Sequence, residues 1–432
     1  MPKQPKAGRG TGDGHRVVVL GGGYTGMLAA IRLAHRTRRT GVRVTLVNPT
    51  VRFTERLRMH QAATGQGLAV HHIPDLLAGT GVAFVRGRAT ALDPRTRTVT
   101  VAESGQSGQS GESGEGGEGG GHSAVLPYDT LIYALGSRAD TSGVPGAEEH
   151  AYTLDGHGPA GRLSVRLAEA ADAGGTVTVC GGGLTGVEAA TEIAESYPGL
   201  SVTLLCAEEP GAMMGERARS YLRGALSRLG VTVRTGARVT RVLPDAVELA
   251  TGEAPESAVC VWTAGVRVSP LAARAGLAVD ERGLLLVDET LRSVSHPEIH
   301  AIGDAAAVHM PWGRLHGTCQ SGMPTAAYTA DAIARLLRGR PVRPFRFGYV
   351  HQPVSLGRRD AVIQFTHADD TPRRVYLKGR AAVRYKELVS GSPLPFYRLS
   401  RRMNVMAAVS RAGRARTGAA AAPDMSAAAL TG

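Results

Sequence analysis

The chain has 432 residues, 43% of them hydrophobic, which is ample for two or three packed domains. A formal net charge of +13 points to nucleic acid or an anionic membrane surface, but aromatics at only 4%, with no base-stacking or zinc-finger pattern, disfavour a nucleic-acid partner. The four cysteines, Cys180, Cys206, Cys260 and Cys319, form no C-x-x-C or C-x4-C pair, so neither a metal site nor an active disulphide is expected, and free thiols fit a reducing cytosol.

Residues 1–14 are polar and Gly-rich, without the apolar centre of a signal peptide, and no apolar run in the chain reaches membrane-spanning length. Val17-Val18-Val19-Leu20 is an unalternating apolar run, the pattern of a strand buried in a parallel sheet. Gly21, Gly23 and Gly26 follow at G-x-G-x-x-G spacing, with Tyr24 and Thr25 inside the motif, and Met27 to Arg36 reads as a helix. Gly21 permits the tight turn, Gly23 lets backbone approach a pyrophosphate, and Gly26 lets helix and strand pack closely. The helix N-terminus then points unpaired N–H groups at the phosphates.

Val42 to Asn48 reads as the next strand. An acidic residue at its end would take ribose hydroxyls; Asn48 stands there, able to hydrogen-bond but uncharged. Pro49 to Gly67 carries Arg52, Glu55, Arg56, Arg58, His60 and Gln61, too polar for core. It leaves the strand at the edge where cofactors sit, so Arg58 is a candidate contact and a solvated loop the alternative. Val82 to Leu92 is a further strand. Thr96 to Ala102 and Ala124 to Leu126 read as paired strands joined by Glu103 to Ser123, whose Gly, Ser, Gln and Glu cannot bury enough apolar surface to order. Tyr128 to Ser137 runs from an apolar strand through Ala134 to a glycine turn at Gly136.

Val177 to Gly186 repeats the opening motif with Gly181, Gly183 and Gly186 around Leu184 and Thr185, and a helix from Val187 to Tyr197 opens on Glu188. Two such units imply two dinucleotides, most simply a flavin and the nicotinamide that feeds it. The strand Val202 to Cys206 again ends on a residue that is not acidic, with Glu208 two positions on. Arg217 and Arg219 are candidates for a 2′-phosphate, so NADH and NADPH both stay open. Val231 to Leu243 and Val247 to Leu249 add strands, and Val259 to Gly265 repeats the strand-to-glycine ending. Glu298 to Asp304 is a short strand ending in Gly303-Asp304; this aspartate suits the hydroxyls of a cofactor sugar chain, or caps a helix through Ala305 to Val308. Gln320 to Leu337 is the last strong helix, with Pro324 expected in its first turn. From Tyr349 the pattern alternates like β structure, and Leu377 to Val389 reads as strand or helix.

In this order the motifs resemble the two-dinucleotide-binding-domain flavoproteins of the pyridine nucleotide-disulfide oxidoreductase superfamily, and within them the type II NADH dehydrogenases (NADH:quinone oxidoreductases). The resemblance runs from about His15 to Val389 and is most specific at Gly21 to Gly26, Tyr128 to Ser137, Gly181 to Glu188, Val261 to Val266 and Ala301 to Ala305. It implies an α/β fold of two Rossmann-like domains, the second inserted in the first, plus a small C-terminal α+β region. The boundaries expected are 15–148 and 285–345 for the FAD-binding domain, 149–284 for the NAD(P)H-binding domain, 346–395 for the C-terminal region and 396–432 for a basic tail. FAD would sit on the first unit and NAD(P)H on the second. The cofactor-binding residues expected are Gly21, Gly23, Tyr24, Thr25, Gly26, Asn48, Arg58, Ala134, Gly136, Gly303 and Asp304, then Gly181, Gly183, Leu184, Thr185, Gly186 and Gly265. Asp304 matches the aspartate on the flavin ribitol, and Glu188 a glutamate near the flavin–nicotinamide stack, although a first-turn carboxylate satisfying the helix dipole reads equally well. The family's quinone segment, Ala-Gln-x-Ala-x-Gln, keeps only Gln320 here, with Pro324 at the second glutamine.

The activity implied is hydride transfer from NAD(P)H to FAD and onward passage of electrons to a small-molecule acceptor of the quinone type, with Glu188 and Gln320 as catalytic candidates. A reductase of a ferredoxin or rubredoxin, whose acidic surface would suit the basic charge, is the second reading. A redox-sensing flavoprotein of low turnover is the third. Beyond the last strong elements, Leu399, Met403, Met406 and Val409 fall at helical spacing among Arg398, Arg401, Arg402, Arg411, Arg414 and Arg416. That stretch either packs on the protein's own body or attaches weakly to an anionic membrane surface, which would add the inner face of the membrane to a cytoplasmic location. Oligomeric state has no signature.

Overall fold

The computed structural model describes residues 14–103 and 123–400; the Gly/Ser/Glu segment between Glu103 and Ser123, and the stripe beyond Ser400 with Met403, Met406 and Val409, lie outside them. The apolar run becomes β1 (Arg16–Leu20), buried from Val17 on, and the glycine motif leads at once into α1 (Tyr24–Thr37). The helix thus starts three residues earlier than its apolar pattern, because Gly23 is its N-cap and the motif itself forms the first turn. β2 (Arg43–Asn48), the short helix α2 (Met59–Ala63) and the strands β3 (Val82–Asp93), β4 (Thr98–Glu103), β5 (Ser123–Pro127) and β6 (Thr130–Tyr133) complete the first stretch.

The second unit starts with β7 (Ala151–Tyr152) and α3 (His157–Asp172), then repeats the pattern as β8 (Thr176–Cys180), α4 (Leu184–Ser196), β9 (Ser201–Leu205), α5 (Glu216–Arg228), β10 (Thr232–Arg234) and β11 (Val259–Trp262). Its five strands form one parallel sheet in the order β10-β9-β8-β11-β7. After this sheet the chain returns: β12 (Ile299–Ala301) pairs in parallel with β6, giving the first sheet the order β12-β6-β1-β2-β3-β4-β5. The second sheet is therefore inserted in the first, as the family resemblance implies. The first sheet's core is closed by α1 against α6 (Cys319–Leu336), where Leu28, Ile31, Ala326, Ala330 and Ile333 are buried together. A three-stranded antiparallel sheet follows, β13 (His351–Ser355), β14 (Ala361–Thr366) and β15 (Pro372–Lys378), backed by α7 (Gly379–Gly391) and α8 (Pro393–Ser400).

Several local expectations need correction. No helix continues from Ala305 to Val308: one 3-10 turn at Gly303–Ala305 gives way to an extended pair in which Ala306–Ala307 meets Leu285–Leu286. Pro324 lies in the second turn of α6, not the first, because Thr318 caps the helix by a capping box with Ser321 and so sets its start at Cys319. Val231 to Leu243 is two strands, with Gly236 at φ +67° turning the chain between β10 and Val239–Val242. Leu377 to Val389 is strand up to Lys378 and helix from Gly379. The last described helix, α8, packs on the body through Tyr397, which is buried against Phe53 and donates its hydroxyl to the Tyr24 carbonyl at 3.2 Å, while Leu399, the one described apolar residue of the basic stripe, is exposed.

Candidate functional site

The first glycine turn is built as a cradle. Gly21 has φ +102°, and a Cβ there would lie 2.3 Å from the Ala134 carbonyl oxygen; a Cβ on Gly26 would lie 1.8 Å from the carbonyl oxygen of Gly21. Both positions need glycine for packing. At Gly23 an added Cβ meets nothing within 4 Å, so the protein leaves space in front of the helix N-terminus. Thr25 packs its methyl toward Gly303 and Gly322, which brings the turn, the 303–304 segment and the start of α6 into one place. There Ser137 donates its hydroxyl to Asp304 Oδ2 at 2.7 Å, and Gly317 lies so close to Asp304 that a Cβ would sit 2.6 Å from Oδ1. Gly136, at φ +65°, has open space before it.

The second cradle has the same plan. Gly181 has φ +120°, Gly186 would place a Cβ 1.8 Å from the Gly181 carbonyl oxygen, and Gly183 again faces open space. Leu184 and Thr185 form the first turn of α4. Thr263 donates its hydroxyl to the carbonyl of Cys180 at 2.9 Å, fastening the end of β11 to the end of β8. The two cradles meet at a seam. Ser137–Ala139 and Val266–Val268 pair antiparallel, one strand from each unit, with Gly136 at one end of this short link and Gly265 at the other, beside Asp140.

The other expected residues are distributed differently. Asn48 turns its side chain onto the first motif and accepts the Gly22 N–H at Oδ1, 2.9 Å away. Tyr24 points its ring into the core, edge-on to Phe53 at 5.3 Å, with a buried hydroxyl that has no partner among the described residues. Arg58 pairs with Glu387 at 2.8 Å and Glu55 at 3.7 Å. It is Arg56 that reaches the seam, donating to the Ser137 carbonyl and to Asp155 at 2.9 Å. A 3-10 turn carries both arginines in opposite directions, and the loop's polarity alone gives no signal to tell them apart.

Glu188 is the fifth residue of α4, past the first turn, so the dipole reading of its carboxylate does not hold. Its Oε1 lies 2.6 Å from Lys386 Nζ and accepts the Ser355 N–H at 3.0 Å and the Ser355 hydroxyl at 3.1 Å. Burial alone would raise this carboxyl, but Lys386 and nearby His60 outweigh it and hold the group below the ordinary carboxylate range. Burial pushes His60 down to about 4, so the ring is neutral near pH 7, 3.4 Å from the Ser355 hydroxyl. One helical turn on, Glu192 is raised to about 7 by burial, with Gln66 on Oε1 and no partner for Oε2 among the described residues. Sequence reasoning had no route to Lys386, Ser355 or His60 as partners of Glu188, since they come from three distant segments. Gln320 is tied to the start of β13: its Oε1 accepts the Val350 N–H at 2.7 Å and its Nε2 donates to the His351 carbonyl at 2.8 Å.

Residues 15–332 match the family model for pyridine nucleotide-disulphide oxidoreductases. The chain belongs to that family. It is 32% identical to an NADH dehydrogenase-like protein of Mycobacterium tuberculosis over 87% of this chain and 93% of the relative. It is 27% identical to a type II NADH:quinone oxidoreductase of Staphylococcus epidermidis over 81% and 89%. Among solved structures, NDH2 from Plasmodium falciparum in complex with NADH shares the fold at a TM-score of 0.75 and 14% identity, covering 91% of this chain and 97% of that one. The pyridine nucleotide-disulphide oxidoreductase described here is accordingly an enzyme with FAD and NAD(P)H as cofactors. All four of its cysteines are free; Cys180 and Cys260 come nearest, with Sγ atoms 3.8 Å apart on neighbouring strands. The residues present fit such cofactors: each cradle is closed to a Cβ where strand and helix must touch and open where a pyrophosphate would approach.

Proposed function

We propose that the chain is a flavin-dependent NADH:quinone oxidoreductase, with FAD on residues 15–148 and 285–345 and the nicotinamide dinucleotide on 149–284. The observation that carries this reading is the doubled cradle, closed to a Cβ at Gly26 and Gly186 and open at Gly23 and Gly183, its two units joined by the antiparallel pairing of Ser137–Ala139 with Val266–Val268. Bound FAD would supply the two-electron chemistry, taking hydride from the nicotinamide and passing electrons to the acceptor. The protein's part is placement and field. The open fronts at Gly23 and Gly183 admit the pyrophosphates to helix N-termini. Asp304, oriented by Ser137, offers a carboxylate to sugar-chain hydroxyls. The N-terminus of α6, adjacent through Gly322 and Thr25, brings a positive dipole end to this side of the site. Glu188 and Lys386, buried between the second unit and the C-terminal region, are the charged groups poised to hold or move a proton.

The names of two relatives, a type II NADH:quinone oxidoreductase and a demethylphylloquinone reductase, favour a quinone over a protein acceptor, and an enzyme that reduces a membrane-dissolved quinone would work peripherally at the inner face of a membrane. The test is steady-state NADH oxidation with a soluble menaquinone analogue, a ferredoxin and dioxygen in parallel, and co-sedimentation with anionic and neutral vesicles. Turnover with the quinone at least tenfold above the other two is the expected result. Preference for ferredoxin would replace this reading with the protein-reductase one.

A further inference from the structure

At the edge of the first sheet opposite the cofactor turns lies a cavity of about 340 Å³, in the size range of small-molecule sites. Strands β6 and β12 run side by side toward Gly136 and Gly303, so the ends at which they start, Thr130 and Ile299, face away from the first glycine cradle. The cavity opens there, between those strand starts and the C-terminal end of α6. None of its lining residues borders the cleft around Asp304. Neither FAD nor the nicotinamide dinucleotide accounts for it.

Its walls divide by chemistry. Pro297, Ile333, Leu336 and Leu337 make an aliphatic side, on which both leucines are exposed. The polar side carries four charged groups. Asp129 is spent on Arg16, which reaches it with the backbone N–H at 2.7 Å and the guanidinium at 3.0 and 3.1 Å. Arg97 is exposed, and its Nε stands 3.9 Å from Glu298, too far for a hydrogen bond. That contact is the only one the half-buried Glu298 carboxylate makes among the described residues. Arg292 gives its Nε to the Pro297 carbonyl at 2.8 Å, and its two terminal nitrogens have no partner among the described residues. Between these groups the floor is neutral near pH 7, because burial lowers His300 to about 4.

An available guanidinium and an available carboxylate beside an aliphatic wall fit one class of small molecule. A simple anion would suit Arg292 and be repelled by Glu298; a simple amine would meet the reverse. A zwitterion gives each a charge-assisted hydrogen bond, and an aliphatic side chain covers the exposed leucines. We infer that this cavity binds a free α-amino acid with an aliphatic side chain, its carboxylate on Arg292, its ammonium on Glu298 and its side chain against Ile333, Leu336 and Leu337.

Titration calorimetry of the flavin-loaded protein tests this with four probes: L-leucine, 4-methylpentanoate, which lacks the ammonium, 3-methylbutylamine, which lacks the carboxylate, and glycine, which lacks the side chain. L-Leucine should bind with a Kd below about 1 mM, and the other three about tenfold or more weakly. Arg292→Gln and Glu298→Gln should each weaken L-leucine by about tenfold while flavin content stays native. Where a variant does not fold, the probe series decides alone. Absence of saturable heat with L-leucine, equal affinity for any of the other three probes, or unchanged affinity in both folded variants overturns the assignment. The readout needs neither NADH nor an electron acceptor, so its failure leaves the proposed oxidoreductase standing, and failure of that function leaves the amino-acid site standing.

Discussion

Glu188 Oε1 and Lys386 Nζ stand 2.6 Å apart with each side chain only 11% exposed, so a single ion pair joins the nucleotide-binding helix α4 to α7 of the C-terminal region. Breaking a buried pair from one side leaves an uncompensated charge, at a cost of about 3–5 kcal/mol. Lys386→Met should therefore destabilise the protein by roughly that amount in chemical denaturation, because Glu188 keeps only the Ser355 donors. Glu188→Gln combined with Lys386→Met should recover more than half of the loss. If the double variant is no better than the single one, the two groups do not act as a pair.

The glycine motifs divide into packing and ligand positions, and substitution separates them. Gly26→Ala puts a methyl 1.8 Å from the Gly21 carbonyl oxygen, so it should unfold the first unit or sharply lower its melting temperature. Gly23→Val meets no protein atom within 4 Å at its Cβ and should fold normally while purifying without flavin. Gly183→Val should fold, keep its flavin and lose reduction of that flavin by NADH in stopped-flow absorbance. Stoichiometric flavin in Gly23→Val would show that the first cradle is not the FAD site.

Gln320 has two readings that one variant distinguishes. Its side chain satisfies the Val350 N–H and the His351 carbonyl, so Gln320→Ala leaves half-buried backbone groups unpaired, at about 1 kcal/mol. The expected outcome is a lower melting temperature with quinone KM and kcat within about threefold of native at 20 °C. A tenfold loss in kcat at unchanged stability would instead make it a group that touches the acceptor.

How far the sequence foretold this arrangement depends on the length scale of the signal. Gly21 to Gly26 and Gly181 to Gly186 are local devices: strand, turn and helix follow within ten residues, and a missing Cβ is itself the signal. The return of β12 beside β6 was legible only through the family resemblance that Gly303-Asp304 helps to carry. The network of Glu188, Lys386, Ser355 and His60 was not legible, since each is an ordinary polar residue until the fold brings them together. Pro324 misled for a different reason: proline is favoured in a first turn, but the Thr318–Ser321 capping box outweighed that preference and moved the helix start upstream.

The buried histidines set the acid response. Burial lowers His60, His300 and His351 to about 4 from an ordinary 6.5, so between those values the unfolded chain binds three protons that the folded chain refuses. Glu192 opposes them: raised to about 7 from 4.5, it keeps in the folded state one proton that the unfolded chain gives up. The net is about two protons taken up on unfolding between pH 4.5 and 6.5, which by linkage makes stability rise with pH at about 2.7 kcal/mol per unit. Glu188 adds to this at lower pH: its depressed folded value means that its contribution is complete above the ordinary carboxylate range and is lost as pH falls through the folded value. Melting temperature measured from pH 7 to pH 4.5 should fall steeply below pH 6.5. His351→Gln, which removes one of the three protons, should roughly halve the net slope, since one net proton remains. Glu192→Gln should steepen it by about the same amount. A flat profile, or a Glu192→Gln slope shallower than native, would mean that these groups titrate alike in the folded and unfolded chains.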